Sequence, residues 1–323
     1  MSKFIGVDLG GTNLRAAVVD TSSGEYVNLK QIPAHAHEGH DAVMAHMAEL
    51  IADVIETSEY KKHEIDGVGI GVPGVLELEH GLVLFLPNLP GTWPNVPLQK
   101  TIEDYVSLPT RLLNDVRSMT LAEWTFGAGR GVDTIACFAI GTGVGGGLVI
   151  NGQLHLGIGG TGGELGHQII DFNGPPCGCG SEGCLEAFAS GPAIAAMGVK
   201  AVMQGLTTNI GELVDYDLNL ITTKVIARAA LMGDEIANEI YDTAGYHIGI
   251  AVSNVLATIG PRKVVIGGGV SQVGDLLLDP IRRTVKEHVF IMPVDQVEIV
   301  PADLGPNAGM IGAALWAEQQ INP

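Results

Sequence analysis

Apolar residues form short continuous runs in some segments and helically spaced stripes in others, and this pattern predicts the order of the elements. Residues 3–8 and 14–20 are apolar runs on either side of a Gly-Gly turn, which indicates two buried strands in a tight hairpin. Residues 26–32 predict a third strand, residues 41–59 an amphipathic helix and residues 65–72 another strand. This order is typical of a mixed sheet with a helix on one face.

The same strand-turn-strand layout returns about halfway along the chain. The apolar run of residues 134–140 leads into a glycine-rich turn and continues after it. We interpret this as a weak internal duplication in which each copy opens one α/β domain. The expected domains are a small one of residues 1–117 plus 308–323, whose last helix packs back on it, and a large one of residues 118–307.

Three glycine turns each follow a buried strand, and their chemistry suits phosphate groups. Thr12 and Thr142 can donate a hydroxyl to a phosphate, and Asp8 can hold Mg²⁺ directly or through water. The third turn, Gly267–Gly269, presents backbone without side chains, which lets a flat ring or a phosphate come close. Together these turns predict a phosphoryl-transfer site between two domains.

Composition and charge narrow the class of protein. A chain of 323 residues with 46% hydrophobic and 16% charged residues is long enough for two folded domains. The net charge of −19, without a basic block, excludes a protein that binds a nucleic-acid backbone but leaves a nucleotide ligand open. Since no long apolar stretch or signal-peptide layout is present, we expect a cytoplasmic protein without membrane contact.

A cluster of soft metal ligands predicts a zinc site. The candidate ligands are His167, Cys177, Cys179 and Cys184. Sulfur and imidazole are the ligands of tetrahedral zinc, and four protein ligands leave no position for water, so the predicted zinc is structural. A small disulfide loop, with His167 as an ordinary core histidine, is the alternative. Glu164 and Glu186 flank the cluster and would be held rigidly by it.

Two further polar positions are candidates for binding groups. Asp115 lies where the strand of residues 111–113 ends and a helical run begins, so it is either a helix N-cap or a carboxylate at a ligand-binding sheet edge. Asn88 lies in the proline-rich segment of residues 86–97, which predicts an irregular loop. It either binds a ligand or forms a turn.

These motifs resemble those of a known family. The segment Asp8-Leu-Gly-Gly-Thr-Asn-Leu-Arg15 resembles the first phosphate motif of the actin-like sugar kinases, residues 141–147 resemble the second, and Gly267–Gly269 resemble the adenosine motif. Residues 162–167, followed by the C-x-C-x₄-C run, are similar to the signature of the ROK family of repressors and sugar kinases. The resemblance covers essentially the whole chain and is greatest to the bacterial glucokinases of that family.

The resemblance implies a fold and a set of site residues. It implies two ribonuclease-H-like domains of the actin and hexokinase type, with ATP and Mg²⁺ in the cleft between them and the sugar beside the zinc loop. The residues it assigns to the nucleotide are Asp8, Gly10, Gly11, Thr12, Asn13, Thr142, Gly143, Gly267, Gly268 and Gly269. Those it assigns to the sugar are Asn88, Asn114, Asp115, Glu164, His167 and Glu186. Asp115 would be the general base on the sugar 6-hydroxyl.

His167 has two implied roles, since one ring nitrogen can bind zinc while the other donates to the sugar. The chain departs from the family pattern after Asp115. Small residues are usual there, whereas this chain has Val-Arg-Ser-Met. Arg117 could face solvent, pair with an acidic neighbour or lie near phosphate.

The activity implied is ATP-dependent phosphorylation of glucose to glucose 6-phosphate, a glycolytic reaction, by a homodimer or homotetramer. Alternative acceptors are mannose, fructose, N-acetylmannosamine and N-acetylglucosamine, and polyphosphate is an alternative donor that the acidic charge disfavours. A sugar-sensing repressor is the non-enzyme alternative. Such repressors carry a DNA-binding segment ahead of the first phosphate motif, whereas only seven residues precede Asp8 here.

Overall fold

The chain forms two α/β units, and each contains strands of a five-stranded sheet. A computed structural model of the chain describes residues 2–86, 91 and 93–322. The mixed α/β fold with two domains is therefore confirmed. The first unit comprises Met1–Gly131, Gly147–Gly163 and Asp303–Pro323, and the second comprises Val132–Gly146 and Glu164–Ala302.

The elements are numbered in chain order. Strands β1 to β12 are Lys3–Leu9, Asn13–Asp20, Tyr26–Pro33, Gly67–Val72, Val75–Glu77, Leu82–Phe85, Thr110–Asn114, Ile135–Ile140, Val144–Ile150, Gln153–Leu154, Lys263–Gly267 and Glu298–Pro301. Helices α1 to α9 are His40–Thr57, Leu98–Val106, Asp115–Thr125, Leu185–Ala189, Gly191–Met203, Thr223–Leu231, Glu235–Ile259, Asp275–His288 and Ala308–Ile321. In the described part of the chain, every helix is too short or too polar to cross a bilayer.

The first sheet has the strand order β3-β2-β1-β4-β7. Strands β1 and β2 pair antiparallel with Leu9 opposite Leu14, which confirms the hairpin predicted around the first glycine turn. Strand β4 runs parallel to both β1 and β7. Because parallel strands end at the same edge of a sheet, the carboxyl ends of β1, β4 and β7 lie side by side.

Helix α9 packs on the first sheet at positions where glycine removes the side chain. A Cβ added to Gly6 of β1 would overlap the carbonyl oxygen of Met310, and one added to Gly69 of β4 would overlap that of Ala313. The predicted return of the last helix to the first sheet is thus found, with backbone lying directly on backbone.

Helix α3 also packs against α9 in the first unit. A Cβ added to Gly312 of α9 would overlap the carbonyl oxygen of Ser118 on α3. Buried Glu123 adds to this packing, because its carboxylate accepts hydrogen bonds from the backbone N–H groups of Asp303 and Leu304 just before α9. The limits of the compact units therefore differ from the expected limits at residues 117 and 308, since all of α3 lies in the first unit.

The second sheet has the order β10-β9-β8-β11-β12, and β11 runs parallel to both β8 and β12. Residues 234–259 form one continuous apolar pattern that stops at Gly260-Pro261, which predicts a long helix. Helix α7 is found there, beginning one residue later and ending at Ile259 with Gly260 as its C-cap. Helix α8 packs closely against two glycines of α7. An added Cβ at Gly245 would lie 2.5 Å from Pro280, and one at Gly249 would lie 2.5 Å from Thr284.

Several short elements are absent from the sequence prediction. The hairpin of β5 and β6 has strands of three and four residues, which are too short to show alternation. Helix α4 has five residues, fewer than two helical turns, and therefore shows no periodicity. Asn88 lies outside the described residues.

The contact between α9 and β4 predicts a large loss of stability for Gly69→Ala. The added methyl group would overlap the Ala313 carbonyl, which belongs to helix backbone and has no rotamer to change. We expect a loss of about 3 kcal/mol or more in the free energy of unfolding, measured by urea denaturation followed by circular dichroism. Gly11→Ala, where an added Cβ meets nothing within 4 Å, is the matched control. Equal stability of the two variants would contradict this packing.

Candidate functional site

Two carboxylates lie near one another at the carboxyl edge of the first sheet. Asp8 is the penultimate residue of β1, and Asp115 directly follows β7 as the first residue of α3. The negative charge of Asp115 acts on Asp8 strongly enough to raise its pKa. The pair therefore lies where parallel α/β sheets place their ligands.

Asp8 has a strongly perturbed acid-base equilibrium. Burial is the largest cause and, together with the charge of Asp115, raises the pKa of Asp8 from an ordinary value of 3.8 to about 7, while Arg15 opposes the shift. A carboxyl group in this state is partly protonated near neutral pH. A cation bound beside it would favour the ionised form.

Asn114, and not Asp115, is the residue that caps the N-terminus of α3. The Asn114 Oδ1 atom caps the helix, accepting hydrogen bonds from the backbone N–H groups of Val116 at 3.0 Å and Arg117 at 3.2 Å. Its Nδ2 donates to the carbonyl of Gly74 at 3.3 Å. The N-cap is thus Asn114, which removes the purely local explanation for Asp115.

The first glycine turn is closed by its own backbone. The Gly10 N–H donates to the carbonyl of Asn13 at 2.9 Å, and the Thr12 carbonyl accepts from the N–H of Ala34 at 2.8 Å. Gly11 and Thr12 are exposed. Both residues are therefore accessible to a ligand, as an anion-binding turn requires.

Arg15 and Gly309 are neighbours of Asp8 that the sequence analysis did not single out. Arg15 is the cross-strand partner of Asp8 in the hairpin and donates to the carbonyl of Pro306 at 2.6 Å. Gly309 lies in the first turn of α9, where an added Cβ would be 3.0 Å from Asp8 Oδ1. The hairpin register would have identified Arg15 from sequence, but the approach of α9 is visible only in the fold.

Arg117 is buried, with 2% of its surface exposed, and its Nε donates to the carbonyl of Gly162 at 2.8 Å. Of the three alternatives left open for this side chain, the solvent-facing one is wrong. The guanidinium thus contacts the backbone directly before the Gly-Glu-Leu-Gly-His motif.

In the second unit, Glu186 connects the second glycine turn to the cysteine loop. Its Oε2 accepts from the Val144 N–H at 2.8 Å, and its Oε1 lies 3.9 Å from Cys177 Sγ. A Cβ on Gly143 would overlap Oε2, and one on Gly166 would overlap the Val144 carbonyl. The two glycines are therefore required for the turn and the loop to touch.

The third glycine turn follows β11 and crosses the end of β8. Gly268 has φ +87°, and an added Cβ would overlap backbone atoms of Ile140. The chain then enters a short 3₁₀ turn, Val270–Val273. Glycine is required at residue 268 both by its left-handed backbone and by this contact.

The cysteine loop brings its four predicted ligands together. One atom each from His167, Cys177, Cys179 and Cys184 lies within 4.8 Å of the others. Cys179 Sγ and Cys184 Sγ are 3.8 Å apart, and Cys177 Sγ is 3.7 Å from His167 Nδ1. The cysteines are free, so the alternative of a disulfide loop does not hold in this structure.

These distances fit a tetrahedral zinc ion. Zn–S bonds of about 2.3 Å place two sulfur ligands about 3.8 Å apart, the separation found between Cys179 and Cys184. Burial raises the pKa of Cys177 and raises that of Cys184 to about 12, whereas the backbone N–H of Ser181 lowers that of Cys179. Holding both buried sulfurs as thiolates therefore needs a cation, which this ligand set can coordinate.

The predicted site residues fall into two groups. Those in the first unit are Asp8, Gly10, Gly11, Thr12, Asn13, Asn114 and Asp115. Those in the second unit are Thr142, Gly143, Glu164, His167, Cys177, Cys179, Cys184, Glu186, Gly267, Gly268 and Gly269. Thr142 and Glu164 are exposed, so both are accessible to a ligand.

The chain is similar to known proteins along almost its whole length. A family model of the ROK family matches residues 4–320. A glucokinase of Thermotoga maritima is 36% identical over 323 residues, covering 99% of this chain and 98% of the relative. A xylose repressor of Caldicellulosiruptor bescii is 31% identical and covers 97% of this chain, which spans 77% of that repressor.

Among solved structures, a ROK family glucokinase from Streptomyces griseus in complex with glucose and AMPPNP superposes with a TM-score of 0.85. It is 31% identical, and the match covers 98% of this chain and 100% of that one. The family model matches almost the whole chain, and the glucokinases of Thermotoga maritima and Streptomyces griseus are similar to it over nearly their full lengths. The chain therefore belongs to the ROK family.

Proposed function

We propose that this protein is an ATP-dependent sugar kinase that transfers the terminal phosphoryl group of ATP to the 6-hydroxyl of glucose. The observation that carries this proposal is the carboxylate of Asp115, which follows a parallel strand while the neighbouring Asn114 caps the helix. The ROK glucokinase from Streptomyces griseus, solved with glucose and AMPPNP, supports the same pair of substrates.

Asp115 is the proposed general base. In phosphoryl transfer, the protein must orient the attacking hydroxyl and accept its proton as the new bond forms. Asp115 is suited to this because it is held at both ends, by β7 before it and by α3 after it. The backbone N–H of Val116 donates to its Oδ1 at 2.9 Å, which limits rotation of the carboxylate.

Backbone groups of the glycine turns are the proposed contacts for ATP. Thr12 and Thr142 would add hydroxyl donors to the phosphates, and Gly267–Gly269 would let the adenosine approach the backbone. Asp8 would hold the magnesium ion that accompanies ATP. That ion supplies positive charge to the phosphate oxygens, and the raised pKa of Asp8 supports the assignment because a carboxyl group in this state gains most from a cation.

The cysteine loop is proposed to hold a structural zinc ion and to shape the sugar site. Nδ1 of His167 faces Cys177 Sγ at 3.7 Å, so Nε2 is the nitrogen that would donate to a sugar hydroxyl. Glu164, Glu186 and Asn114 would contribute further hydrogen bonds to the sugar. Asn88 retains the sugar-binding role that the family resemblance implies.

Kinases for the alternative sugars share the main motifs, so the choice of acceptor would depend on loop residues. Mannose, fructose and the N-acetylhexosamines remain alternative acceptors, and polyphosphate an alternative donor. A repressor body is the alternative that the similarity to xylose repressors favours. Turnover distinguishes the two, since a repressor body would bind sugar without forming ADP.

The proposed base predicts that Asp115→Asn removes turnover and leaves sugar binding nearly unchanged. We expect kcat to fall by about 10²- to 10⁴-fold, because asparagine cannot accept the proton. The measurement is ADP release with glucose, mannose, fructose, N-acetylglucosamine and N-acetylmannosamine in parallel. Asp41→Asn is the matched control, since Asp41 is also an aspartate in the first turn of a helix and is exposed. Full activity of Asp115→Asn, or no turnover with any sugar, would refute the mechanism.

The proposed zinc site predicts that Cys179→Ser lowers metal content, stability and sugar affinity together. Loss of one ligand should weaken glucose binding by about tenfold or more, since the loop that orients His167 loosens. Zinc is measured by elemental analysis, stability by thermal unfolding and glucose affinity by calorimetry. Cys137→Ala, which alters a buried cysteine of β8 outside the loop, should retain its zinc. Unchanged glucose affinity after removal of the metal would contradict the coupling.

The raised pKa of Asp8 predicts that Asp8→Asn stabilises the ligand-free protein at alkaline pH. The native state holds the proton up to pH about 7 and the unfolded chain releases it near 3.8, so the wild type loses stability as the pH rises between these values. Asparagine carries no such penalty, and its advantage should grow from near zero at pH 4 to at most about 4 kcal/mol at pH 8.

The readout is urea unfolding without nucleotide or magnesium, with the exposed Asp53→Asn as control. Kinase activity should be lost in Asp8→Asn although its stability rises. An Asp8→Asn protein that is no more stable than the wild type at pH 8 would show that the carboxyl group is not penalised by burial.

A further inference from the structure

A histidine-rich segment joins β3 to α1 and supplies none of the side chains assigned to the proposed kinase site. It reads His-Ala-His-Glu-Gly-His over residues 35–40, in which the 3₁₀ turn Ala36–Glu38 is followed by Gly39 and by His40, the first residue of α1. One atom each from His35, His37 and Glu38 lies within 4.8 Å of the other two. This group belongs to the first unit, whereas the cysteine loop belongs to the second.

The distances within this group suit metal ligands better than hydrogen bonds. Glu38 Oε1 lies 3.5 Å from His35 Nδ1 and 3.7 Å from His37 Nε2, so one oxygen faces both rings beyond hydrogen-bond length. Bonds of about 2.0–2.2 Å to a common ion would place two tetrahedral ligands about 3.4 Å apart. Glu38 Oε1 therefore lies near the separation from each ring that a shared ion requires, and the two imidazoles are close enough for their side chains to close on that ion.

The backbone at His35 is what brings the donors together. His35 has φ 47° and ψ 38°, in the left-handed region that non-glycine residues seldom occupy. A histidine held there, in place of the glycine that such a conformation favours, is an unusual choice unless its side chain is used.

His46 supplies a second, independent observation. Its ring lies edge-on to that of His35, with centroids 5.3 Å apart, and comes from the next turns of α1. The His46 Nδ1 atom is buried and has no hydrogen-bond partner. A buried ring nitrogen without a partner beside a histidine cluster fits a group that orients the His35 ring or joins its ligand set.

A second pair of a carboxylate and a histidine is hydrogen-bonded, unlike Glu38 and its two histidines. Glu77 and His80 are also close, but Glu77 accepts hydrogen bonds from the His80 ring at 2.8 Å and from the backbone N–H groups of Glu79 and His80. That carboxylate is satisfied by its own loop. Glu38 instead faces two imidazoles at distances that leave room for an ion between them.

We propose that His35, His37 and Glu38 form a second metal site, selective for borderline divalent transition metals such as Ni²⁺, Co²⁺, Cu²⁺ or Zn²⁺. Imidazole and carboxylate suit these ions, whereas Mg²⁺ and Ca²⁺ prefer all-oxygen sites. The side chain of His37 is 77% exposed and that of Glu38 44%, so the ion enters from solvent and completes its coordination with water.

The position of the site links it to the first glycine turn. The N–H of Ala34, one residue before His35, donates to the carbonyl of Thr12 at 2.8 Å. An ion that fixes residues 35–38 therefore restrains the segment that holds this turn. Bound metal should reduce local opening of the segment, which amide hydrogen exchange detects.

The test is a calorimetric titration of Ni²⁺ into the untagged full-length protein and its His37→Gln variant. The substitution is at an exposed side chain, so folding is preserved. We expect the wild type to bind one more Ni²⁺ per chain than the variant, or to bind it at least about tenfold more tightly, since a lost ligand costs at least what a lost outer-shell partner does. The difference does not depend on how many ions the cysteine loop takes, nor on kinase activity.

His80→Gln is the matched control, since it removes an equally exposed histidine that lies beside a carboxylate. It should bind Ni²⁺ as the wild type does. In parallel, Ni²⁺ should slow amide exchange in residues 34–40 of the wild type but not of His37→Gln, and Mg²⁺ should leave exchange there unchanged. Identical Ni²⁺ binding by the wild type and His37→Gln, an equal loss in His80→Gln, or protection confined to other segments would overturn the proposal.

Discussion

Direct contact between backbones, made possible by glycine, is the constraint on which the first unit depends. Helix α9 lies on β1 and β4 at Gly6 and Gly69, and α3 packs against Gly312 of α9. Close packing of this kind leaves no freedom for the helices to shift. Because Asp115 is the first residue of α3 and Gly309 lies beside Asp8, the same contacts determine where the two carboxylates lie.

The second unit uses the same device for a different purpose. Gly166 and Gly143 let the histidine motif and the Glu186 carboxylate approach the second glycine turn, while Gly183 packs against the Asp171 carbonyl inside the cysteine loop. The loop has few apolar side chains of its own and little regular structure. Its geometry therefore depends on glycine contacts, and the four candidate ligands lie close enough together to coordinate the proposed metal.

Asp8 illustrates how a binding group can oppose stability. Its burial and its nearness to Asp115 raise its pKa to about 7, which is unfavourable to the ionised native state. Arg15 offsets part of this cost through its cross-strand position. The magnesium ion proposed to bind beside Asp8 would offset more of this cost and would thereby stabilise the folded first unit.

The sequence by itself determined the hairpins around the first two glycine turns, helices α1, α7 and α9, and the four clustered ligands of the cysteine loop. These rest on local periodicity and on residues close in the chain, which a pattern can reveal. The burial of Arg117, the pairing of Asp8 with Asp115 and the burial of the His46 ring nitrogen were decided only by tertiary structure. Each depends on segments far apart in sequence, and desolvation and long-range charge act through distance in space, which residue order does not encode.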